Sequence, residues 1–341
     1  MKNKTVHLLL FAICCSILIQ TVLAHAPLGT GDNESLATAT VISDPGKSWA
    51  IYAELHEGGE AQYYRFEVSK DEKILIMLHK STSSEDETFL PSFVLMGPNV
   101  TSQGTVPDYV EVPQGAGVMV VEGVQPPQAM YEPFSPGSLY RLAEVELLAP
   151  STGTYYVAVY ESSRGGHYNV AIGYREEYSL TEWILIPINL IAVYEWEGQS
   201  LFTIFAPLIL TIAIGLALTI WRRRTTAKPR TLFAWLVAFT GLLFIGTGMN
   251  TLYQMILSLQ QTSLVPEASV TILFIAIPTI LGIITIHLSF KESTEISKRT
   301  RMYLAILGIV ALFTWTGLLI GPILALITCL LPKRLGNFGS R

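Results

Sequence analysis

The chain has 341 residues, of which 50% are hydrophobic and only 14% are charged, and its mean hydropathy is +0.43. Soluble globular proteins carry about 25% charged residues, so these values exclude a wholly soluble or disordered chain and predict that part of it lies in lipid. Residues 25–195 hold 23 acidic and 8 basic residues, whereas residues 196–341 hold 4 acidic and 12 basic residues. An acidic first half and an apolar second half with basic connections argue against nucleic-acid binding.

The N-terminus has the features of a signal peptide. Two early lysines precede an uncharged, mostly apolar stretch at 8–19, which is too short to span a bilayer core of about 30 Å. Small or short residues then predict cleavage after Ala24, so that residues 1–24 are removed and His25 becomes the mature N-terminus. An uncleaved signal anchor is the alternative. No cysteine lies between this segment and the last apolar run, so the exported domain cannot form a disulfide.

Residues 25–177 have the pattern of an exported all-β sandwich, which we expect to be jelly-roll-like. Runs of β-branched and aromatic residues alternate with turn residues, as in sandwich domains. The runs predicted as strands are 49–55, 62–68, 73–79, 92–96, 117–121, 140–148, 154–160 and 168–173. Tyr64, Phe66 and Val68 share one face of their strand, with charged residues between them, so this strand is half-buried. Within the run 154–160, residues 155–160 lack polar positions, which predicts a central strand.

Two polar or proline-rich segments, 81–87 and 126–137, are predicted to be surface loops. The segments 34–40, 63–66, 153–159 and 168–170 resemble motifs of pre-peptidase C-terminal-type domains. The resemblance covers residues 33–174 and implies a secreted β-sandwich of the kind found beside catalytic domains or on cell surfaces. This sequence has no attached peptidase and only a weak acidic, calcium-like cluster, so the resemblance implies the sandwich and is nearly silent on a ligand.

Four long apolar runs follow, at 201–221, 231–259, 268–290 and 302–331. Each is long enough to cross a bilayer, which predicts an all-α four-helix transmembrane domain over 199–331 and a short tail at 332–341. Five basic residues connect the first two runs and four connect the last two, whereas the middle connection has none. The positive-inside rule therefore places residues 25–198 outside a plasma membrane. Four crossings leave the basic tail outside, against the same rule, and a partly re-entrant last run broken near Gly321 and Pro322 is the alternative.

Residues 178–198, between the two domains, are predicted to form an aromatic collar at the outer membrane interface. Ser179 begins an S-x-x-E capping-box pattern. The aromatic residues of the collar are Trp183, Tyr194 and Trp196, types favoured at lipid headgroups. Pro187 argues against one unbroken helix. A final strand of the sandwich is the alternative.

His25 is the sharpest candidate metal ligand. A mature N-terminal histidine offers its α-amine and an imidazole nitrogen, which with a second histidine form the copper site of histidine-brace proteins. The candidate partners in the exported half are His56, His79 and His167, none with the spacing of a local metal motif. The sequence otherwise predicts no cofactor, and a histidine exposed by cleavage without a ligand role is the alternative to copper.

Three further features are candidate sites. Asn33 and Asn99 begin N-x-S/T sequons and are candidate N-glycosylation sites on the exported side. In the second apolar run Thr247, Asn250 and Gln254 fall on one helical face. In lipid such a polar stripe most often bonds neighbouring helices, and a lining for a small solute is the alternative.

No nucleophile elbow, phosphate-binding loop or dinucleotide fingerprint is present, and no acid/base pair stands out. The sequence therefore predicts a surface binding or assembly module without catalysis, in contact with the lipid bilayer and with an extracytoplasmic protein or carbohydrate partner. The two alternatives are a copper-binding or redox-related protein that uses His25 and a small-solute transporter or channel. The nearly uncharged spans disfavour the transporter.

Overall fold

A computed structural model describes residues 26–29, 31–83, 88–225, 231–291 and 297–331 of the chain. The predicted signal peptide, His25 and the tail 332–341 lie outside these residues. Within them a domain of two β-sheets is followed by a helical domain, as the composition predicts.

The β domain contains the strands β1 (Ala26–Pro27), β2 (Thr40–Val41), β3 (Trp49–Leu55), β4 (Glu60–Val68), β5 (Lys73–Ser81), β6 (Ser92–Gly97), β7 (Gly117–Val121), β8 (Met130–Glu132), β9 (Gly137–Leu148), β10 (Gly153–Glu161) and β11 (Gly166–Ile172). Every predicted strand is present within a few residues. The short strands β1, β2 and β8 were not predicted, because two or three residues are too few to show alternation.

The strands form a six-stranded sheet in the order β1-β3-β11-β5-β9-β8 and a five-stranded sheet in the order β2-β4-β10-β6-β7. The pairs within β3-β11-β5-β9 and within β4-β10-β6-β7 are all antiparallel, and the chain changes sheet at most connections. This is the arrangement of a jelly roll. Strand β10 lies between β4 and β6, so the prediction of a central strand at 154–160 is confirmed.

The hydrophobic core lies between the two sheets. Tyr64 and Phe66 of β4 point into it and are 0% and 1% exposed, which confirms the predicted buried face. Phe66 stacks on Tyr155 with ring centroids 6.2 Å apart. The Tyr64 and Tyr168 hydroxyls are 2.6 Å apart, and Tyr168 Oη donates to Gln62 Oε1 at 2.7 Å. The polar atoms in this core are therefore paired, as buried polar groups must be.

The helices are α1 (Leu180–Trp196), α2 (Leu201–Thr225), α3 (Leu232–Leu259), α4 (Ala268–Lys291), α5 (Lys298–Phe313) and α6 (Ile320–Leu330). Helices α2, α3 and α4 are long and apolar enough to cross a membrane, and they match the first three predicted runs. Helices α3 and α4 approach closely where Gly241 faces Gly282, since a Cβ on Gly282 would lie 2.6 Å from the Gly241 carbonyl oxygen.

The collar contains one continuous helix, α1, so the alternative of a final strand is wrong. Its capping box is confirmed, because Glu182 N donates to Ser179 Oγ and Ser179 N donates to Glu182 Oε2 at 2.7 Å. Pro187 lies inside α1 without interrupting it, contrary to the prediction. The hydrogen bond that this proline cannot make is replaced from elsewhere in the helical domain.

The fourth predicted span, 302–331, is not one helix but two, α5 and α6, which are separated at 314–319. Four of the six residues in this break have positive φ, a conformation that ends a right-handed helix. The two helices fold back on each other, since Gly308 packs against Ala325 and Arg301 Nη1 donates to Cys329 O at 2.8 Å. The end of α6 thus returns to the level at which α5 begins, so the two helices form a hairpin of the kind that the re-entrant alternative requires.

Three side chains complete the hydrogen bonding of the break. Gly317 N donates to Thr247 Oγ1 at 2.8 Å. In a continuous helix it would donate instead to the carbonyl of Phe313, the last residue of α5. That carbonyl accepts from Trp183 Nε1 at 3.1 Å. Conversely, Trp315 Nε1 donates at 2.9 Å to Trp183 O, the carbonyl that Pro187 leaves unpaired within α1 because proline has no N–H.

The helical domain has two distinct ends. At the junction end, which contacts the β domain, Gln199 and Gln254 exchange amide hydrogen bonds of 2.9 and 2.8 Å. At the opposite end, the far end, Arg223 Nη2 donates to Ala234 O at 3.3 Å and to Ser289 O at 3.0 Å. This arginine joins α2, α3 and α4 at the end where the basic connections from α2 to α3 and from α4 to α5 begin.

Replacement of Phe66 by alanine tests the sandwich core. Because the ring is 1% exposed, Phe66→Ala should lower the free energy of unfolding by about 3 to 5 kcal/mol. The measurement is protease resistance of the β domain across a urea series in the detergent-solubilised full chain. Arg65→Ala, on the exposed face of the same strand, is the matched control and should change stability by no more than about 0.5 kcal/mol. Equal losses in the two variants would contradict the assignment of faces.

Candidate functional site at the domain junction

The hairpin between β8 and β9 enters the junction between the two domains. Tyr131 Oη and Thr271 Oγ1 are 2.8 Å apart, and Thr271 Oγ1 donates to Pro133 O at 2.7 Å. The prediction that 126–137 is a surface loop is therefore wrong for residues 130–137. The Tyr131 hydroxyl and the Pro133 carbonyl of this segment are bonded by Thr271 at the start of α4.

The C-terminal end of α1 packs against the β domain. Trp196 is 9% exposed, its Nε1 donates to Ala53 O of β3 at 3.0 Å, and its ring meets Tyr52 edge-on at 5.0 Å. Tyr194 is 5% exposed. Both rings pack inside the protein, whereas the prediction placed them at lipid headgroups. An aromatic ring with a polar tip suits a partly polar protein junction as well as a membrane interface.

The N-terminal end of α1 is also tied to the β domain. Lys47 Nζ donates to both carboxylate oxygens of Glu182, at 2.7 and 2.8 Å. The same ammonium group lies 4.2 Å from the centre of the Trp49 ring. Contacts at both ends hold α1 in one position on the six-stranded sheet.

Two carboxyl groups are enclosed in this junction. Glu132 belongs to β8, and its Oε1 accepts from Phe134 N at 3.1 Å. Glu197 follows α1, is 8% exposed, and packs so close to Gly137 that a Cβ there would lie 2.8 Å from Glu197 Oε1. Burial raises the pKa of Glu132 to about 7 and the pKa of Glu197 to about 8, and the charge of Glu132 adds to the effect on Glu197. Glu197 is thus mostly protonated and uncharged at neutral pH.

A polar pocket of 480 Å³ opens beside Glu197 at the junction end. Its walls come from the end of β5 and the start of β9, from the connection between α1 and α2, and from the end of α3. The hydroxyl and amide side chains that line it are Ser83, Ser138, Gln199, Ser200, Thr203, Gln254, Ser258, Gln260 and Gln261. Among the described lining residues Glu197 is the single ionisable one, and it is mostly uncharged at neutral pH.

The predicted polar stripe on α3 divides between this pocket and an inner cavity. Thr247 and Asn250 line a cavity of 60 Å³ between the helices and the β8–β9 hairpin, whereas Gln254 lines the polar pocket. Thr247 and Gln254 bond neighbouring segments, as the stripe predicts. Asn250 Oδ1 is buried and has no hydrogen-bond partner among the described residues.

The three candidate histidine partners for copper do not come together. His56 is exposed in the turn after β3, with Nδ1 3.3 Å from Glu60 Oε2. His79 is 5% exposed, with Nδ1 3.2 Å from Asn169 Oδ1. His167 Nε2 lies 3.2 Å from a carboxylate oxygen of the neighbouring strand. Each imidazole therefore has its own partner in the β domain.

His25 lies outside the described residues, so copper binding stays a prediction. Ala26, which follows it, pairs with Trp49 at the start of β3. His56 directly follows the other end of β3. It is seven residues after Trp49, and seven residues of an extended strand span about 23 Å. A brace made from His25 and His56 would have to bridge that length.

One small group of ligand atoms exists in the described part of the β domain. Glu34, His56 and Glu60 place three ligand atoms within 4.8 Å of one another. The Glu60 carboxylate already accepts from His56 N at 2.5 Å and from Gln62 Nε2 at 2.9 Å. A metal ion here would compete with the hydrogen bonds that shape the turn between β3 and β4.

The two sequons differ in accessibility. Asn33 is 2% exposed and its Nδ2 donates to Tyr63 O at 3.3 Å, so the folded domain leaves no room for a glycan on this amide. Asn99 is exposed, and its Nδ2 donates to Ser151 Oγ at 2.7 Å. Glycosylation stays a prediction, and Asn99 is the accessible candidate of the two.

Sequence reasoning missed both the polar pocket and its carboxyl group. The pocket is assembled from four segments that are far apart in the chain, and no segment has a recognisable motif. One signal was present: Glu197 is the only acidic residue between positions 196 and 266. A single acid at the start of an apolar region is by itself a reason to suspect a site.

Glu132 and Glu197 should make the stability of the junction depend on pH. Their folded-state pKa values, about 7 and about 8, exceed the ordinary value of 4.5, so the folded state holds protons that the unfolded state releases. The resulting stability is complete below about pH 4.5 and is lost as the pH rises through about 7 to 8. Protease resistance of the full chain on heating should therefore fail at lower temperature as the pH rises across this range.

Glu197→Gln should weaken this pH dependence, because glutamine keeps the shape of the protonated acid but cannot ionise. The variant should be more heat-resistant than the native chain at about pH 9, where the native carboxyl is charged. Glu195→Gln, on the exposed side of the same helix, is the matched control. An unchanged pH dependence in Glu197→Gln would contradict the role of this group.

No protein-family model matches the chain, and no curated protein matches it. The resemblance of residues 33–174 to pre-peptidase C-terminal-type domains therefore stays a prediction. The function has to be argued from the geometry of the junction, its pocket and the two ends of the helical domain.

Proposed function

We propose that the chain is a multi-pass membrane protein that holds its β domain on the extracytoplasmic face. Helices α2, α3 and α4 have 25, 28 and 24 residues and hydropathies of 2.5, 1.9 and 2.4. About 20 apolar residues in a helix suffice to span a bilayer core. Large apolar side chains of α2 such as Leu210 and Leu218 are 60% and 57% exposed, and a lipid environment accounts for such a surface.

The charges at the two ends of the helical domain support this orientation. The basic residues at the far end are Arg222, Arg223, Arg224, Lys291, Lys298, Arg299 and Arg301. At the junction end, the connection between α3 and α4 has no basic residue. The positive-inside rule therefore favours a cytoplasmic far end, which leaves the β domain outside.

The hairpin of α5 and α6 favours three crossings over four. Helix α5 has 16 residues and is about 24 Å long, which is short of a bilayer core of about 30 Å. Its partner α6 leads back to the far end. Lys333 and Arg334 follow within three residues of the last described residue, so the basic tail then obeys the positive-inside rule that four crossings would violate.

Cysteine labelling tests this topology. In a background without native cysteines, single cysteines would replace Ser163 in the β domain, Thr225 after α2 and Ser340 in the tail. A membrane-impermeant maleimide added to intact cells should label Ser163→Cys and spare the other two until the membrane is opened. Labelling of Ser340→Cys in intact cells would restore a fourth crossing, and protection of Ser163→Cys would overturn the orientation.

The function we propose for this membrane protein is to bind a neutral, polyhydroxylated ligand at the outer surface, either a free sugar or the sugar headgroup of a lipid. The polar pocket at the junction carries this proposal. It has a volume of 480 Å³ and is lined by hydroxyls, amides and a carboxyl group that is mostly uncharged at neutral pH. Hydroxyl and amide groups both donate and accept hydrogen bonds, which complements the hydroxyls of a sugar.

The position of the pocket places it beside lipid. Ser200 and Thr203 line it, and the two residues between them, Leu201 and Phe202, are 52% and 77% exposed. Such exposed apolar side chains at the start of a spanning helix favour contact with the outer leaflet. A sugar headgroup that leaves the bilayer at this level would meet the pocket opening.

Neither alternative function has a specific observation in its favour. Among the described residues, the inner cavity of 60 Å³ has room for a few water molecules only, so it does not favour transport of a solute. The copper proposal depends on His25, which the described residues do not include. The binding module is therefore the function that the geometry supports best.

Sugar binding by the full chain in lipid nanodiscs tests the proposal. The probes are maltose and digalactosyl diacylglycerol, followed by tryptophan fluorescence and by retention of the glycolipid after washing. Gln261→Ala, which removes a lining amide, should weaken binding about tenfold, the effect expected when a ligand hydroxyl loses its partner. Ser83→Trp should block the pocket with an indole ring and abolish binding.

Two matched controls lie on the exposed surface of the β domain, away from the pocket. Gln114→Ala and Ser163→Trp make the same chemical changes and should leave binding unchanged. Binding of both probes would identify a sugar site, and binding of the glycolipid alone would identify a headgroup site. Failure of both probes, or equal affinity in Ser83→Trp and Ser163→Trp, would overturn the proposal.

A further inference from the structure

A small cavity at the junction is distinct from the polar pocket. It has a volume of 60 Å³ and lies between α1, the turn after β8 and the middle of β3. The described residues that line it do not overlap with those of the polar pocket. Half of them carry a side-chain oxygen, namely Tyr52, Glu132, Ser135, Tyr178 and Asn189. This Glu132 cavity has room for one ion with a few water molecules.

Several of these oxygen atoms have no partner in the described part of the protein. Glu132 Oε1 accepts from Phe134 N at 3.1 Å, and no described residue donates to Glu132 Oε2. The Tyr52 and Tyr178 hydroxyls and the Asn189 amide likewise form no hydrogen bond with a described residue. Polar groups inside a protein are normally paired, so we expect a ligand in the cavity to complete them.

The charges that act on the cavity are negative. Burial and the charges of Glu132 and Glu197 raise the pKa of Tyr52. Burial and the charges of Glu176 and Glu132 raise the pKa of Tyr178. Both phenols are therefore neutral at neutral pH, and each keeps an oxygen lone pair for a ligand. When they are ionised, the three carboxyl groups that act on these phenols favour a positively charged ligand.

No basic side chain neutralises Glu132 in the described part of the chain. The described residues that line the cavity include no lysine, arginine or histidine. Lys47, which is bound to the same helix α1, donates to both carboxylate oxygens of Glu182. The undescribed gaps within the β domain, at 30 and 84–87, contain no basic residue either. A cation in the cavity would therefore supply a charge that the neighbouring chain does not.

We propose that the Glu132 cavity binds one hard metal cation, Ca²⁺ or Na⁺, with the Glu132 carboxylate as the charged ligand and Tyr178 and Asn189 as neutral oxygen ligands. Hard cations prefer carboxylate, amide and hydroxyl oxygens, and Ca²⁺ accepts them in flexible geometry. A single carboxylate in the lining predicts weak binding, with a Kd of roughly 10⁻⁴ to 10⁻³ M. The site does not depend on the sugar-binding pocket, and either site can fail without the other.

Heat stability of the full chain in lipid nanodiscs tests the site. At about pH 8.5, above the Glu132 pKa of about 7, the carboxyl is ionised and the cation should stabilise the junction. Calcium chloride or sodium chloride should then raise the temperature at which protease resistance fails. Choline chloride at the same ionic strength is the control, because choline is too large for this cavity. Equal protection by all three salts would show screening alone and would overturn the proposal.

Terbium luminescence detects a bound ion directly. Tb³⁺ takes the oxygen ligands that Ca²⁺ takes, and a nearby tyrosine or tryptophan ring excites its emission. The cavity is lined by three such rings, Tyr52, Tyr178 and Trp315. Addition of Tb³⁺ to the full chain should therefore give emission on excitation of these rings, and Ca²⁺ or an excess of Na⁺ should reduce it.

Two pairs of variants separate the cavity from the acidic surface. Glu132→Gln should abolish the protection by Ca²⁺ or Na⁺ and weaken Tb³⁺ binding at least about tenfold, because the charged ligand is lost. Glu144→Gln, which removes an exposed carboxylate of β9, is the matched control and should change neither. Tyr178→Phe removes one hydroxyl and should weaken Tb³⁺ binding about tenfold, whereas Tyr174→Phe, at an exposed phenol four residues earlier, should not.

Two further outcomes would contradict the site. Equal Tb³⁺ affinity in Glu132→Gln and Glu144→Gln would show that the acidic surface of the β domain binds the ion diffusely. Equal affinity in Tyr178→Phe and Tyr174→Phe would show that the phenol of the cavity is not a ligand. Loss of Tb³⁺ binding in Glu132→Gln with unchanged binding of maltose would support a cation site that is separate from the polar pocket.

Discussion

The helical domain depends on two indole groups. Each donates a hydrogen bond to a backbone carbonyl that has no N–H donor within its own helix. Trp315 Nε1 donates to the carbonyl that Pro187 leaves open in α1, and Trp183 Nε1 donates to the carbonyl left open at the end of α5. An unsatisfied carbonyl in an apolar environment costs several kcal/mol, so each tryptophan stabilises a defect in the other's segment. The proline in α1 and the break after α5 thus each leave a carbonyl that an indole of the other segment satisfies.

Helix α1 contacts both domains. The helix is tied to the β domain by Lys47 and by Trp196, at its two ends. Its middle is tied to the break between α5 and α6. The β8–β9 hairpin adds a third attachment at the start of α4. The pocket that we assign to a sugar lies where these attachments meet, so its walls are held by both domains.

Local patterns were enough to predict the sandwich and the three long helices. The alternation of Tyr64 and Phe66 with charged residues is a property of one strand, and the length of an apolar run is a property of one segment. The break at 314–319 could not be predicted in this way, because its partners Thr247 and Trp183 lie 70 and 130 positions away. The polar pocket was missed for the same reason, since Ser83, Gln199 and Gln261 become neighbours only in the folded chain.

The dependence of the break on α1 and α3 has a consequence for biosynthesis. The ribosome makes Trp183 and Thr247 before it makes residues 314–319, so the groups that complete the break already exist when the hairpin emerges. Until the hairpin meets them, its open carbonyl and amide groups resist entry into hydrocarbon. In the membrane topology that we propose, the hairpin can complete these hydrogen bonds only after α1 and α3 are in place, so we expect assembly to follow the order of synthesis.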